Sequence, residues 1–322
     1  MKKFFYGLIL LAILGILPQI VPAYYTGILV RIMILIIFAM SINILMGYVG
    51  LTPLGQAAYF GFSGYTVALL NLEIFQGAHP FLELGAGIIA SLLCAALLGL
   101  IIVRAKGVYF MMVTLAIGEM FWGLAVKWQH FTGGADGLPG ILRPQFNFLP
   151  FWDLSSETGF FYFVFILFCL SCLFIYLLLI SPFGLTLLGI KENESRMEVL
   201  GFNIWLHKYI AFVIAGAFAG LAGILDVYYY QFVSPEILGV GNSIGALLAV
   251  ILGGSGTMFG PIIGSALYIS LEQFISGYTQ RWVMIMGLLF ILIVLFAPMG
   301  LSRLLSTFWS SIRDRSKGSE AS

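Results

Sequence analysis

Charge is what this sequence has least of. Asp, Glu, Lys and Arg together make up 9% of its 322 residues, against roughly 25% in an ordinary soluble domain. Hydrophobic residues make up 61%. A water-soluble chain of this length cannot hide that much apolar surface, because even large folds leave a substantial surface in water. The excess has to face lipid. The net charge is +1 and the Lys and Arg are scattered at the ends of apolar runs, so there is no basic field and no nucleic-acid partner is expected. Cysteine is scarce too: Cys94, Cys169 and Cys172 all sit in apolar runs. The Cys169/Cys172 pair has neither a second pair nor a nearby His to complete a metal site, so the three read as buried apolar thiols. The three His, at His79, His130 and His207, fall in separate polar connections. The sequence contains no G-x-x-x-x-G-K-[ST] phosphate loop and no H-E-x-x-H zinc motif. ATP hydrolysis and membrane-enzyme chemistry therefore have no visible apparatus, and no cofactor is expected in this chain.

Apolar runs fill the rest. Taking about 20 residues as one crossing, candidate spans fall at 4–21, 29–47, 57–72, 84–103, 108–126, 160–180, 209–228, 244–251 with its flanks, 261–274 and 282–296. The chain reads as all-α, a polytopic transmembrane helical bundle of about ten spans. It forms a single membrane domain over 1–322, with spans through roughly 4–300 and a polar tail at 301–322. The third, eighth and ninth runs are short or interrupted by glycine, which marks broken or re-entrant segments. Lys2 and Lys3 ahead of the first run mimic a signal peptide. That run exceeds the usual apolar stretch of about 7–15 residues and more spans follow, so it reads as a retained first helix. The 38 glycines suit helices that pack closely in lipid.

Only two polar connections are sizeable, 130–157 and 182–208, and neither is long enough for a soluble catalytic domain. With ten spans and a cytoplasmic N-terminus, eleven Lys and Arg fall inside and four outside, accounting for all 15. That bias places both termini and the 182–208 connection in the cytoplasm. Two glycine-rich turns echo one another: Met46-Gly47-Tyr48-Val49-Gly50-Leu51-Thr52-Pro53-Leu54-Gly55 and Leu252-Gly253-Gly254-Ser255-Gly256-Thr257-Met258-Phe259-Gly260. Transporters are often built from such repeats, with binding near broken helices at mid-membrane; the alternative is that glycine-rich turns converge.

Glu119, Asp226 and Glu272 lie within or at the ends of spans. An ionisable group in lipid costs at least ~2.5 kcal/mol, so each should face a cavity or a partner, as a pathway residue or as a carboxylate bonded to a neighbouring helix. Asn43, Gln56 and Thr114 are polar residues in apolar surroundings, where interhelical hydrogen bonds are the default and pathway lining the second reading. In the 182–208 connection, charge and apolar residues mix. Leu185, Leu188, Met197 and Leu200 fall at helical spacing, while Lys191, Glu192, Glu194, Arg196 and Glu198 stay solvated. Gly201 is placed to stop a helix. Such a helix inserts into a groove on a soluble partner; the plainer alternative is a solvated loop.

This connection resembles the cytoplasmic coupling loop of LivM-type permeases, the membrane subunits of branched-chain amino-acid ABC importers. The resemblance lies in Ile190-Lys191-Glu192-Asn193-Glu194 and Glu198-Val199-Leu200-Gly201-Phe202-Asn203. Departures are Leu185-Thr186 for the usual Arg-Ala, and Ser195, Arg196 and Met197. Other stretches are similar in the same order. They begin with Ser41-Ile42-Asn43-Ile44-Leu45-Met46-Gly47-Tyr48-Val49-Gly50-Leu51 and Gly55-Gln56-Ala57-Ala58-Tyr59-Phe60-Gly61, with Gln56 for a frequent His and Pro53 for a frequent Ser. Next come 109–119, which holds Thr114 and Glu119, and Thr132-Gly133-Gly134-Ala135-Asp136-Gly137-Leu138. Val233-Ser234-Pro235-Glu236 and the 252–261 turn complete the series, which runs from about residue 41 to 300.

The resemblance implies half of a translocation pathway for leucine, isoleucine and valine in a prokaryotic cytoplasmic membrane. Its partners would be a second, LivH-like permease, two ABC ATPase subunits that hydrolyse the ATP, a periplasmic or lipoprotein solute-binding protein, and membrane lipid. It gives Lys191, Glu192, Asn193, Glu194, Arg196, Glu198, Leu200 and Gly201 the ATPase-coupling role. Thr132, Gly133, Gly134, Asp136 and Gly137 are then either a docking or gating surface for the binding protein or a plain turn held by Asp136. Alternative readings are a urea or short-amide importer, or a stand-alone carrier or channel that needs no coupling helix.

Overall fold

The computed structural model describes residues 22–75, 77, 79–145, 154 and 156–296, with Gly15 and Pro18 standing alone before them. Apart from those two residues, the expected span at 4–21 lies outside the described residues, as does the tail at 301–322. The other nine expected runs all fall on helices. In chain order the helices are α1 (Ala23–Asn43), α2 (Ala57–Leu69), α3 (Pro80–Ile102), α4 (Val108–Lys127), α5 (Glu157–Ile180), α6 (Pro182–Glu192), α7 (Glu194–Val199), α8 (Ile204–Tyr230), α9 (Val240–Gly253), α10 (Phe259–Ser276) and α11 (Trp282–Phe296). Long apolar runs resolve into helices because a helix satisfies its backbone groups within the segment, which lipid demands. Among the described residues, α3, α4, α5, α8 and the stretch Ala23–Val49 are long and apolar enough to cross a membrane. The shorter apolar helices are Val240–Gly253 and Trp282–Leu292.

Burial separates the helices into an inner and an outer set. The most apolar window of Ala23–Val49 is 72% buried, that of α8 67%, and that of α4 only 22%. α1 has apolar side chains all round, with Val30, Met33, Ile34, Ile37, Phe38 and Ile42 in the core. α8 lies against α1, α2 and α3, along a face of Ala215, Gly216, Ala219, Gly220, Ala222 and Gly223 that is buried. Small residues let helix backbones approach where the solvent offers no hydrophobic drive. Outside these two, α3 and α4 present Leu93, Leu97, Ile101, Tyr109, Met112 and Met120 outward.

Three elements are interrupted. α1 runs on as a π-helical turn, Ile44–Val49, which Gly50 ends at φ 82°. α2 likewise continues as π-helix over Leu70–Phe75. α9 follows a 3-10 turn, Pro235–Leu238, that packs against α2. Between α4 and α5, a two-residue strand β1 (Leu138–Pro139) pairs antiparallel with β2 (Phe232–Val233), Leu138 opposite Val233 and Pro139 opposite Phe232. The bundle thus has two ends, one carrying α6 and α7 (the Lys191 end) and one carrying the starts of α1 and α5 (the Arg31 end).

Candidate functional site

At the Lys191 end, caps cut the 182–208 connection into pieces. The Ser181 hydroxyl accepts from the Gly184 N–H and Pro182 follows at the first helical position, which starts α6. Asn193, at φ −159°, ends α6, and its side chain accepts from the Arg196 N–H to start α7. The Asn203 side chain accepts from the Leu206 N–H and starts α8. Gly201 (φ 88°) stops α7 as expected: its N–H donates to the Glu198 carbonyl, and that of Phe202 to the Met197 carbonyl, the paired bonds of a glycine-terminated helix.

The expected single amphipathic helix is therefore two, and its face is different. Extended backbone at Asn193 breaks the helical register. Leu187 and Ile190 are the buried apolar side chains of α6, while Leu185 is 62% exposed and Leu188 only partly covered. Lys191, Glu192, Arg196 and Glu198 stay exposed and Glu194 is half-buried, yet two of these charges bond within the chain. The Lys191 Nζ donates to the Gly47 carbonyl at 2.7 Å, where the π-helical turn leaves carbonyls unpaired and a cation is favoured. Glu194 accepts from Lys208 at 2.5 Å and pairs with Lys106 at 3.5 Å. Burial pushes the Glu194 pKa up, but the hydrogen bond from Lys208 and the two ammonium charges outweigh it, and the net shift is downward. Glu192, Asn193, Arg196, Glu198, Val199 and Leu200 remain exposed, Val199 at 89%.

Lys191 leads into the two glycine-rich turns, which lie against each other. The Asn43 Nδ2 donates to the Thr257 carbonyl at 3.0 Å, and its Oδ1 accepts from the Gly256 N–H at 2.9 Å. One amide thus clamps the second turn to the end of α1.

Deeper in, residues 50–56 run without helix between α4 and α9. The Leu54 N–H donates to the Thr114 hydroxyl (3.1 Å), which itself donates to the Phe110 and Met111 carbonyls. The Ala57 N–H donates to the Ser243 hydroxyl at 2.8 Å. A Cβ at Gly55 would stand 1.8 Å from the Thr114 carbonyl oxygen, so only glycine lets the strand approach. Gln56 is 1% exposed, and neither atom of its amide finds a partner among the described residues. Glu119 is exposed midway along α4, also without a partner among the described residues.

At the Arg31 end, two of the expected carboxylates converge on Arg31, one of the four Lys and Arg that the charge distribution puts outside. Arg31 pairs with Glu272 at 3.2 Å and donates to Gln273 at 3.4 Å, and Asp226 lies within its electrostatic reach. Glu83 was not among the expected carboxylates. It is fully buried, and one carboxylate oxygen accepts from Asn71 (2.9 Å) and from the Tyr228 hydroxyl (2.7 Å). It stands one residue ahead of the expected 84–103 run, in the first turn of α3, so the signal that marked Glu119 did not reach it. The loop at 132–137 is a turn held by Thr132, whose hydroxyl donates to the Ala125 and Trp128 carbonyls and accepts from the Gly134 N–H. Gly133, Gly134 and Gly137 all have positive φ. Asp136, expected to hold the turn, is exposed.

A helical bundle that spans a membrane several times, with its polar groups gathered at two ends and at breaks in its helices, is the architecture of a transport protein. Residues 24–295 match the family described as branched-chain amino acid transport system / permease component, and the chain belongs to that family. It is 30% identical over 320 residues to the high-affinity branched-chain amino acid transport system permease protein LivM of Salmonella typhimurium, covering 93% of this chain and 74% of that protein. The Escherichia coli protein of that name is 31% identical, with the same shares covered. The probable branched-chain amino acid transport permease protein LivM of Methanocaldococcus jannaschii is 25% identical, covering 82% of this chain and 89% of the other. No solved structure matches the chain.

Proposed function

We propose that this chain is a permease subunit of an ABC importer for leucine, isoleucine and valine, and supplies half of the translocation pathway. What carries the reading is the family match over residues 24–295, joined to an exposed two-helix segment that is bonded to the membrane-embedded turns through Lys191. The Lys191 end faces the cytoplasm and both termini lie there, as the distribution of Lys and Arg favours. The chain crosses the membrane about ten times, counting residues 4–21. ATP is hydrolysed on two partner ATPase subunits. Their closure presses on the surface formed by Glu192, Asn193, Arg196, Glu198, Val199 and Leu200 around the Gly201 stop.

Movement of α6 then reaches Gly47 through Lys191, and the second turn through Asn43. Glu119 supports a second, LivH-like permease: a carboxylate exposed midway along a span costs at least ~2.5 kcal/mol in lipid, so a partner chain or the shared pathway covers it. Gln56, buried where α2 begins with an amide that has no partner among the described residues, is the pathway residue on this side. The solute-binding protein docks at the Arg31 end, on the loop that holds Thr132, Gly133, Gly134, Asp136 and Gly137.

The test is Leu200→Asp together with Val199→Asp in the complete importer reconstituted in lipid vesicles. Membrane insertion should be unchanged, while ATP-driven leucine uptake falls by about tenfold or more, as expected when an apolar anchor at an interface is replaced by charge. Undiminished uptake, or uptake without any ATPase subunit, would favour a stand-alone carrier instead.

A further inference from the structure

The Arg31 end contains a cavity of about 280 Å³ whose walls carry charges of both signs, Arg31 and Glu157, together with Tyr229, Gln273, Gly27 and Ile28. Gly27 and Arg31 are four residues apart on α1 and so share one face. Each charged wall keeps bonding capacity beyond its partner within the chain. Arg31 meets Glu272 through Nη2 and Gln273 through Nη1, which leaves other N–H donors of its guanidinium fork. Glu157 turns Oε1 toward Arg143 at 3.7 Å, while its Oε2 lies 3.8 Å from where a Cβ on Gly27 would stand. That same Cβ would come within 2.8 Å of the Tyr229 hydroxyl, so the cavity has this room because residue 27 has no side chain. The Arg31–Glu272 bridge accounts for an arginine inside an apolar helix. It accounts neither for Glu157 on the wall of the same cavity nor for the space that the two residues line.

We infer that this cavity binds a free α-amino acid as its zwitterion, with the carboxylate on Arg31, the ammonium on Glu157 Oε2 and the aliphatic side chain along Ile28. Its volume, just under the roughly 300–1,000 Å³ of ordinary ligand sites, suits a single amino acid. The inference rests on the importer reading and adds to it a site on the permease itself, where the substrate pauses after the binding protein releases it.

The experiment uses the complete importer, purified with its partner subunits but without the binding protein. It measures equilibrium binding of radiolabelled leucine in competition with two analogues. Isoamylamine is leucine without its carboxylate, and 4-methylpentanoate is leucine without its amine. Both should compete at least about tenfold more weakly than unlabelled leucine, the loss expected when one charge-assisted pair is removed. In Glu157→Gln, which leaves the Arg31–Glu272 bridge untouched, leucine and 4-methylpentanoate should become equal competitors, a change that a purely structural role for Glu157 does not produce. Gly27→Ala should weaken all ligands together. If leucine does not bind, if both analogues compete as well as leucine, or if Glu157→Gln leaves the ranking unchanged, the site is refuted. ATP-driven leucine uptake by the same preparation, with the binding protein restored, keeps the two readings apart. Uptake without the binding signature overturns the site alone, and absence of uptake overturns the importer.

Discussion

At the Lys191 end, the side chains that hold the two glycine-rich turns bond to backbone: Lys191 to the Gly47 carbonyl, Asn43 to Gly256 and Thr257. At the Arg31 end, the carboxylates set among the helices bond to other side chains: Glu272 to Arg31, Glu157 to Arg143, Glu83 to Asn71 and Tyr228. The difference bears on what each end can do. A side chain held on a backbone carbonyl fixes the course of the chain, so a displacement of one segment carries the next with it. Ionic side chains that hold one another can exchange partners, and a charged ligand is one such partner. The first arrangement suits the transmission of force and the second suits the handling of solute.

The comparison breaks most visibly at Arg31. Arg31→Gln leaves Glu272 facing no cation among the described residues, and because the pair is only partly buried, at 25% and 19% side-chain exposure, the cost falls below the roughly 3–5 kcal/mol of a fully buried pair. Thermal unfolding of the purified chain should show Arg31→Gln as the least stable single variant, with Glu272→Gln milder because the arginine keeps Gln273. A smaller loss than that of any Lys191-end variant would mean that the ionic end does not hold the bundle together.

Asn43→Leu sharpens the other side. Leucine has a similar volume but takes the side-chain partner from the Gly256 N–H and the Thr257 carbonyl, both part-buried, at a cost below the roughly 1–3 kcal/mol of each fully buried unpaired group. Beyond that stability loss, the two glycine-rich turns should separate. Hydrogen exchange at Gly256 should quicken markedly while exchange along α8 stays as it was. Unchanged exchange at Gly256 would show that the turns are held together by packing alone.

The helices were legible because lipid forces apolar runs of fixed length, and nine expected runs coincide with helices. The sites were less so. Gly201 could be read because a helix stop is a local property, and Asn43 and Thr114 do bond between segments as polar residues in apolar runs should. The face of 182–208 could not be read, since Asn193 turns the register by adopting extended backbone and one cap residue decides which leucines go inside. Arg31 escaped notice because its partners, Glu272 and Gln273, lie more than 240 residues away, and convergence over that distance leaves no trace in spacing. Glu157 and Gly27 acquire meaning only from the cavity between them.

The smallest effect expected is at Glu194, and its sign is fixed by the direction of its shift. Lys208 and Lys106 outweigh burial and hold the Glu194 pKa below the usual carboxylate value. A depressed carboxylate contributes stability that is fully present above its unfolded-state pKa and is lost as pH falls through the lower folded-state value. The contribution should therefore be level from about pH 8 to about pH 5, above the ordinary Glu value near 4.3, and decline only in stronger acid. The glutamate side chain is 36% exposed and Lys106 78% exposed, so solvent screening limits the pair to about 1 kcal/mol. Denaturation of the wild-type chain and of Glu194→Gln, compared across pH, should give parallel curves above pH 5 that converge below it. Convergence already near neutral pH would mean that Lys208, buried at 4% exposure, is held by groups other than Glu194. The Lys191 end would then rest on its backbone bonds alone.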